Sequence, residues 1–114
     1  MSKKTAEELL QKVIKNFLDI FILAELDESE IGGYDIIKHI HKRHGVLISS
    51  GTVYSTLYKL ERDGLIKSQF DERKRVYELT KKGIESLKSI KKANDEIGNL
   101  LGNILSLNEK ETQT

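Results

Sequence analysis

The segment from Ser49 to Ile66, SSGTVYSTLYKLERDGLI, limits the possible folds more than any other part of the sequence. Its two leading serines can cap a helix, because a side-chain oxygen there accepts a hydrogen bond from an otherwise unpaired backbone N–H. Gly64 supplies the stop, since glycine adopts the left-handed conformation at helix ends at little cost. The residues that recur on one side at helical spacing are Val53, Leu57 and Leu60. The segment therefore predicts a short amphipathic helix that buries one face.

The opposite face of this helix is polar, and its acidic residues come late. On a helical wheel it carries Ser55, Tyr58, Lys59 and Arg62, flanked by Thr52 and Tyr54. Small hydroxyl side chains allow close approach to base edges or phosphates, and tyrosine and lysine reach further. Such a face suits the major groove of DNA. For either tyrosine taken alone, a half-buried position against neighbouring side chains is an equally good interpretation.

Two short stretches after this helix, 65–70 and 74–79, alternate loosely between apolar and polar residues and flank a charged tip at 71–73. This pattern predicts a small β-hairpin. Arg73, Lys74 and Arg75 are consecutive cations at the tip, a placement suited to phosphate or minor-groove contact. A short charge run on its own is more often a solvated surface, so this signal depends on its neighbours.

Three further segments show helical periodicity, and they are 5–26, 34–45 and 80–107. The first has capping-box spacing between Thr5 and Glu8, and Thr80 can cap the last. The order is helix, helix, helix, strand, strand, helix, which is that of a winged helix-turn-helix: mainly α with a small β-hairpin. We expect one domain over 1–107, including a terminal dimerisation helix at 80–107, and a disordered polar tail at 108–114.

The second helix opens at Tyr34 and places Lys38 and Lys42 on one exposed flank that can cross a phosphate backbone. Three histidines lie on the same helix, at positions 39, 41 and 44. The spacing of the last two permits metal chelation, but no thiolate or orienting carboxylates accompany them. We therefore predict no metal site and a solvated or phosphate-facing edge.

Composition narrows the function by exclusion. The chain has 19 basic and 18 acidic residues and no cysteine, so a polyanion-binding surface must come from the placement of cations, and thiol chemistry is excluded. No phosphate loop, dinucleotide fingerprint or nucleophile elbow is present, which predicts a non-enzyme without cofactors. The apolar run 17–26 is shorter than the ~20 residues of a membrane span and contains two acidic residues. Together with an N-terminus unlike a secretory signal, this predicts a cytoplasmic protein without membrane contact.

The last predicted helix carries a heptad seam with 3,4,3,4,3 spacing, formed by Leu87, Ile90, Asn94, Ile97, Leu101 and Ile104. The first helix has a matching apolar set, Leu9, Leu10, Val13 and Phe17. We expect both helices to form a homodimer interface, in which Asn94 bonds across the dimer and fixes its register. The alternative is that the last helix packs back on the first helix of its own chain.

The stretches GGYDIIKHI, SSGTVYSTLYKLERDGLI and RVYELTKKG resemble, in order and spacing, the PadR-like family of winged-helix transcriptional regulators. The resemblance covers about residues 17–87. The matching positions are Gly33, Tyr34, Gly51, Thr52, Tyr54, Leu57, Leu60, Glu61, Gly64, Leu65, Ile66, Tyr77, Leu79, Thr80 and Gly83. With one terminal helix in place of a large C-terminal domain, the chain resembles a short form of the family.

The resemblance implies a homodimer whose recognition helices enter successive major grooves while the wings touch the flanking backbone. It also implies repression at a palindromic operator, with contact roles for Ser50, Thr52 and Tyr54. The cations of the wing, which is the predicted hairpin, have the same role; they are Arg73, Lys74 and Arg75. The full set of residues expected to contact DNA is Tyr34, Lys38, Lys42, Ser49, Ser50, Gly51, Thr52, Tyr54, Ser55, Tyr58, Lys59, Arg62, Arg73, Lys74 and Arg75.

Two other functions fit the same sequence. Small PadR-like proteins also serve plasmid partition, in which dimers bind a centromere and assemble further along the DNA. A protein-interaction module that uses the terminal helix seam, with the winged helix as a scaffold, belongs to a different class.

Overall fold

The computed structural model describes residues 3–113, and side chains from 5 to 106. Its elements are α1 (Lys3–Asn16), α2 (Leu18–Glu28), α3 (Gly33–His44), α4 (Ser50–Arg62), β1 (Ile66–Asp71), β2 (Lys74–Leu79), α5 (Lys81–Lys92) and α6 (Asn94–Gln113). The predicted class, mainly α with one β-hairpin, is confirmed. Each predicted terminal helix is divided into two. Among the described residues, no helix is both long and apolar enough to cross a membrane.

The first division falls at Phe17, whose ψ of 25° departs from helical geometry. Hydrogen bonds continue on both sides, from the Phe17 N–H to the Val13 carbonyl and from the Phe21 N–H to the Phe17 carbonyl. Just beyond the bend, the Ile20 N–H donates to Oδ1 of Asp19. A side chain inserted into the hydrogen-bond ladder is a known cause of helix kinks. The predicted single helix from 5 to 26 is therefore a kinked pair.

The second division falls at Ala93, whose N–H is shared between the carbonyls of Ser89 and Ile90. Such sharing tightens the last helical turn before the chain enters α6. α6 continues to Gln113, past the predicted end at Leu107. Residues 108–113 of the predicted tail are thus helical, and Thr114 lies outside the described residues.

The helix ends nearest the hairpin follow the sequence signals. Ser49 caps α4 by accepting a hydrogen bond from the Thr52 N–H, and Thr80 caps α5 by accepting one from the Gly83 N–H. Gly64, after α4, takes a φ of 78°, the left-handed conformation expected of a stop. The capping box expected at Thr5 is wrong, because α1 already begins at Lys3.

The centre of the core joins three helices. Its fully enclosed side chains include Ile22 of α2, Ile36 of α3, and Val53 and Leu57 of α4. Burial of a side chain of this size stabilises the fold by about 1.5–3 kcal/mol. Because α4 is held by its inner face, the direction of its outer face is fixed by the core.

One charged side chain is buried beside this core. Glu25 of α2 is 5% exposed, and both of its carboxylate oxygens have partners on α3. Oε2 lies 2.9 Å from Nδ1 of His39, and Oε1 lies 3.0 Å from Nη1 of Arg43. Pairing both oxygens offsets the cost of removing a carboxylate from water. His39 therefore joins α2 to α3, and with 41% of its side chain exposed it also lies at the solvated edge predicted for it.

The hairpin pairs β1 with β2 in antiparallel register from Ile66 opposite Leu79 to Asp71 opposite Lys74. The connecting turn has only two residues, Glu72 and Arg73, with φ values of 48° and 72°. Two successive positive φ values match the twist of a hairpin, and Asn-Gly is the usual sequence there. We conclude that the tip holds two side chains in a conformation that L-residues rarely adopt.

This turn geometry predicts that Arg73→Gly is more stable than Arg73→Ala by about 1 kcal/mol. Both variants remove the guanidinium, but only alanine keeps the Cβ that disfavours a positive φ. Urea unfolding of the two variants, side by side, measures the difference. Equal free energies of unfolding would contradict the left-handed conformation of Arg73.

Candidate nucleic-acid interface

The outer face of α4 is exposed along its whole length. Ser55, Tyr58, Lys59 and Arg62 are all accessible, and Tyr58 is 68% exposed. The opposite side chains on the same helix, Val53 and Leu57, are fully buried. The division that the helical wheel predicts is therefore present, and the polar face is available to a partner.

The start of α4 is ordered by its own hydroxyl groups. Ser49 Oγ lies 2.8 Å from Thr52 Oγ1 and accepts from the Thr52 N–H at 3.3 Å. Thr52 is half-buried, so its hydroxyl belongs to the cap more than to the surface. Ser50 and Gly51, by contrast, are exposed in the first turn. That turn presents backbone N–H groups and the positive end of the helix dipole to any anion in front of it.

Tyr54 is positioned by the glycine that opens α3. A Cβ added to Gly33 would lie 2.7 Å from Cε1 and 3.0 Å from the hydroxyl oxygen of Tyr54. The ring thus rests directly on the α3 backbone while remaining about half exposed. This contact gives a physical reason for glycine at position 33 and fixes the distance between α3 and α4.

The exposed flank of α3 carries the residues expected there. Tyr34 is exposed, and the Lys38 ammonium lies 4.6 Å above its ring, within the range of a cation–π interaction. Lys42 is exposed one turn further on. His44, at the helix end, packs edge-on against Phe21 at 5.0 Å.

The three wing cations have different surroundings. The Lys74 ammonium donates to Oδ2 of Asp35 at 2.6 Å, and Nη2 of Arg75 donates to Oε1 of Glu61 at 3.1 Å. Arg73 projects at the exposed tip, and no ion pair to it is formed within the part of the chain that the structure describes. Two of the three predicted phosphate contacts are therefore already engaged with carboxylates.

Ion pairing and burial shift two pKa values where the hairpin meets the helices. The hydrogen bond from Lys74 lowers the pKa of Asp35, against a smaller opposing effect of burial. Burial of Tyr77 raises the pKa of its phenol, and the nearby Arg75 guanidinium partly offsets that. Asp35 is thus held as an anion beside its cation throughout the neutral range.

Three residues of this surface have positions or pairings that the sequence did not predict. Asp35 and Glu61 are 39 and 14 positions from their cationic partners, so only the fold reveals the pairing. Phe70 is 75% exposed beside the wing tip. Strand alternation places Phe70 on the same face as buried Ile66 and half-buried Ser68. That alternation is the sequence signal for its position.

Some residues predicted for the dimer interface pack within the chain, and others are exposed to solvent. Leu87 is 3% exposed and packs within its own chain, which corrects its assignment to a dimer contact. Ile90 is half-buried against the core, and part of its side chain stays exposed. Asn94 is exposed at the start of α6. The apolar residues left open to solvent are Leu9, Leu10, Val13, Phe17, Ile97, Leu100, Leu101, Ile104 and Leu105. Exposure along α6 through Leu105 also argues against packing of this helix on α1 of the same chain.

The family model for the transcriptional regulator PadR-like family matches residues 22–89, more than half of the chain, and this range includes α3, α4 and the hairpin. The chain belongs to the PadR-like family of transcriptional regulators. The resemblance drawn from the sequence motifs is thereby confirmed. PadR-like proteins are regulators rather than enzymes.

Individual transcriptional regulators are similar to this chain in sequence or in structure. A transcriptional regulator of Mycobacterium tuberculosis is 35% identical over 82 residues, which cover 68% of this chain and 76% of that protein. The structure of a transcriptional regulator from Clostridium thermocellum is 30% identical, with a TM-score of 0.73 over 81% of this chain and 93% of the other. Bacillus subtilis PadR, in complex with operator DNA, is 28% identical, with a TM-score of 0.56; the match covers 63% of this chain and 45% of that one.

The contact between Gly33 and Tyr54 predicts that Gly33→Ala is destabilising by about 1–3 kcal/mol, because the new methyl group overlaps the ring. Gly51→Ala is the matched control, since a Cβ there meets nothing within 4 Å. Thermal unfolding gives the stability of each variant, and the NMR resonances of the Tyr54 ring report its displacement. Similar stability and unchanged ring resonances in both variants would contradict the contact.

Proposed function

We propose that this chain is a sequence-specific duplex DNA-binding protein that acts as a homodimer and represses transcription at a palindromic site. The observation that carries the proposal is the two-sided α4. Its inner residues Val53 and Leu57 are fully enclosed, and its outer face, from Ser55 to Arg62, is exposed, polar and basic. A helix held rigidly by one face and open on the other is what a major groove about 12 Å wide accommodates.

Ser55 and Tyr58 are the candidates for base recognition. They lie on the exposed face of α4, and within residues 5–106 neither side chain forms a hydrogen bond or ion pair that would have to be broken to reach a base edge. Lys59 and Arg62, nearer the end of the helix, suit phosphates because their long side chains carry a full positive charge. Specificity then comes from the middle of α4, and affinity comes largely from its flanks.

Two further elements are placed to contact phosphates on either side of the groove. The exposed first turn of α4 at Ser50 and Gly51 offers backbone N–H groups to an anion. The exposed flank of α3 offers Tyr34, Lys38 and Lys42. Contacts of both kinds fix the register of a protein on DNA without reading its sequence. Operator binding by Bacillus subtilis PadR supports the same mode of action here.

The homodimer is proposed from the apolar stripe of α6. Ile97, Leu101 and Ile104 lie on one side of this helix and are about half exposed. The opposite side carries Asp95 and Asn99. A contiguous apolar stripe open to solvent is typical of a protein interface. Pairing with a second copy, together with the exposed residues of α1, covers this stripe. The two-fold symmetry of such a dimer favours a palindrome with half-sites ~34 to 36 Å apart.

A DNase footprint of the purified protein, on DNA flanking its own gene at fixed salt, tests the function. A short footprint that saturates over a promoter supports repression at a discrete operator. A footprint that lengthens with protein concentration supports DNA coating of the partition type instead. No footprint on any duplex, with α6 still driving association, would leave the interaction module as the function.

The different contacts proposed for α4 and the wing tip predict different effects of their substitution on DNA binding. Ser55→Ala and Tyr58→Ala are expected to cost ~1 to 3 kcal/mol at particular base pairs, whereas Arg73→Ala weakens binding to every sequence alike. Arg73→Ala should also flatten the plot of log affinity against log salt by about 0.9. Lys88→Ala, an exposed lysine on α5, is the control. An unchanged slope for Arg73→Ala would exclude the wing tip from the interface.

The dimer is tested separately from DNA binding. Leu101→Glu places a charge in the middle of the apolar stripe, so the mass in solution should fall from twice 13.0 kDa to a single chain. Asn99→Glu introduces the same charge on the opposite side of α6 and should keep the dimer. Light scattering after size-exclusion chromatography measures both. A Leu101→Glu protein that remains dimeric would remove α6 from the interface.

A further inference from the structure

Lys74 and Arg75 are neighbours on β2, so their side chains leave opposite faces of the hairpin. Each nevertheless meets a carboxylate from one of the two helices of the helix-turn-helix. Asp35 lies in the first turn of α3, and Glu61 lies in the last turn of α4. The hairpin is thus tied by charge to both helices at once.

The tie to α3 is short and partly open to solvent, since 56% of the Lys74 side chain is exposed. The Lys74 ammonium lies 2.6 Å from Asp35 Oδ2, and the Asp35 side chain is 28% exposed. The lysine stem crosses the start of α3 so closely that a Cβ on Gly32 would lie 2.9 Å from Lys74 Cε. The stem therefore packs on the α3 backbone on one side and is open to solvent on the other.

The tie to α4 is a network of three side chains. Arg75 Nη2 donates to Glu61 Oε1 at 3.1 Å and to Ser68 Oγ at 2.9 Å. Ser68 Oγ in turn donates to Glu61 Oε2 at 2.6 Å. Both oxygens of the Glu61 carboxylate are therefore satisfied from the hairpin, one by each strand.

We propose that Asp35 and Glu61 act as internal substitutes for DNA phosphates, which hold Lys74 and Arg75 in place and withdraw them from sequence-independent binding. This inference rests on the proposed DNA-binding function. Asp35 and Glu61 are positioning residues, since they act through the cations they hold. Of the three wing cations, Arg73 alone then neutralises a phosphate.

Transfer of the Lys74 ammonium to a phosphate leaves the Asp35 carboxylate unpaired beside a polyanion, where like charges repel. The exchange thus gains one ion pair and loses another, and no counterion release is gained overall. Sequence-independent affinity for DNA comes mainly from such release, so closed pairs reduce it and raise the relative weight of base contacts made by α4.

The experiment measures binding to a random-sequence duplex as a function of salt, for Asp35→Asn, Lys74→Met and the double variant. Asp35→Asn is expected to free the Lys74 ammonium and steepen the slope of log affinity against log salt by about 0.9. Between 50 and 200 mM salt this corresponds to an additional loss of affinity of about threefold. In the Lys74→Met background, Asp35→Asn should leave the slope unchanged, because the ammonium whose release steepens it is absent. A gain in affinity without a change of slope in that background measures repulsion of DNA by the unpaired Asp35 carboxylate.

The control is Glu72→Gln, which removes a carboxylate from the wing tip without releasing a paired cation. An unchanged slope for Asp35→Asn overturns the proposal, and so does a steeper slope that persists in the Lys74→Met background, since the steepening then does not come from the Lys74 ammonium. Equal steepening by Glu72→Gln has the same meaning. A wild-type chain that binds no duplex at any salt refutes the proposed function itself, which separates the two failures. Circular dichroism of each variant verifies that the fold is intact.

Discussion

Burial of the inner face of α4 is the constraint on which the rest of the molecule depends. Val53 and Leu57 are enclosed against α2 and α3, where Ile22 and Ile36 are equally inaccessible. A helix fixed in this way has no freedom to rotate about its axis, because rotation would expose branched apolar side chains to water. The direction of Ser55 and Tyr58 is thus a consequence of packing several ångströms below them.

Charged residues then set how the other elements sit around α4. Glu25 connects α2 to α3 through both of its oxygens, and Glu61 and Asp35 connect the hairpin to α4 and α3. A buried or half-buried carboxylate of this kind needs its partner at one place and in one geometry. Apolar packing holds these helices together, and the carboxylates specify their relative orientation.

The sequence was sufficient for the parts of the fold that local chemistry determines. Ser49, Gly64 and Thr80 each supply a hydrogen bond or a backbone conformation that a neighbour a few residues away requires, so the ends of α4 and the start of α5 are predictable. The kinks at Phe17 and Ala93 are not, because neither position has proline or glycine and the bends accompany local hydrogen bonds, to the Asp19 side chain in one case and shared by the Ala93 N–H in the other. The exposed face of α4 follows from helical periodicity. The engagement of Lys74 and Arg75 does not, since their partners lie 39 and 14 residues away and meet them only in the folded chain.

The kink at Ala93 has a mechanical consequence for any assembly built on α6. This helix of 20 residues is about 30 Å long and leaves the core at a single residue. A change of about 10° at that pivot moves the far end of α6 by about 5 Å, without disturbing the residues that hold α4. In a dimer joined through α6, the angle at Ala93 therefore governs the separation of the two α4 helices. The arrangement of α3, α4 and the hairpin within each chain stays constant. In such a dimer, the spacing of the two α4 helices is set separately from the shape of the face that each one exposes.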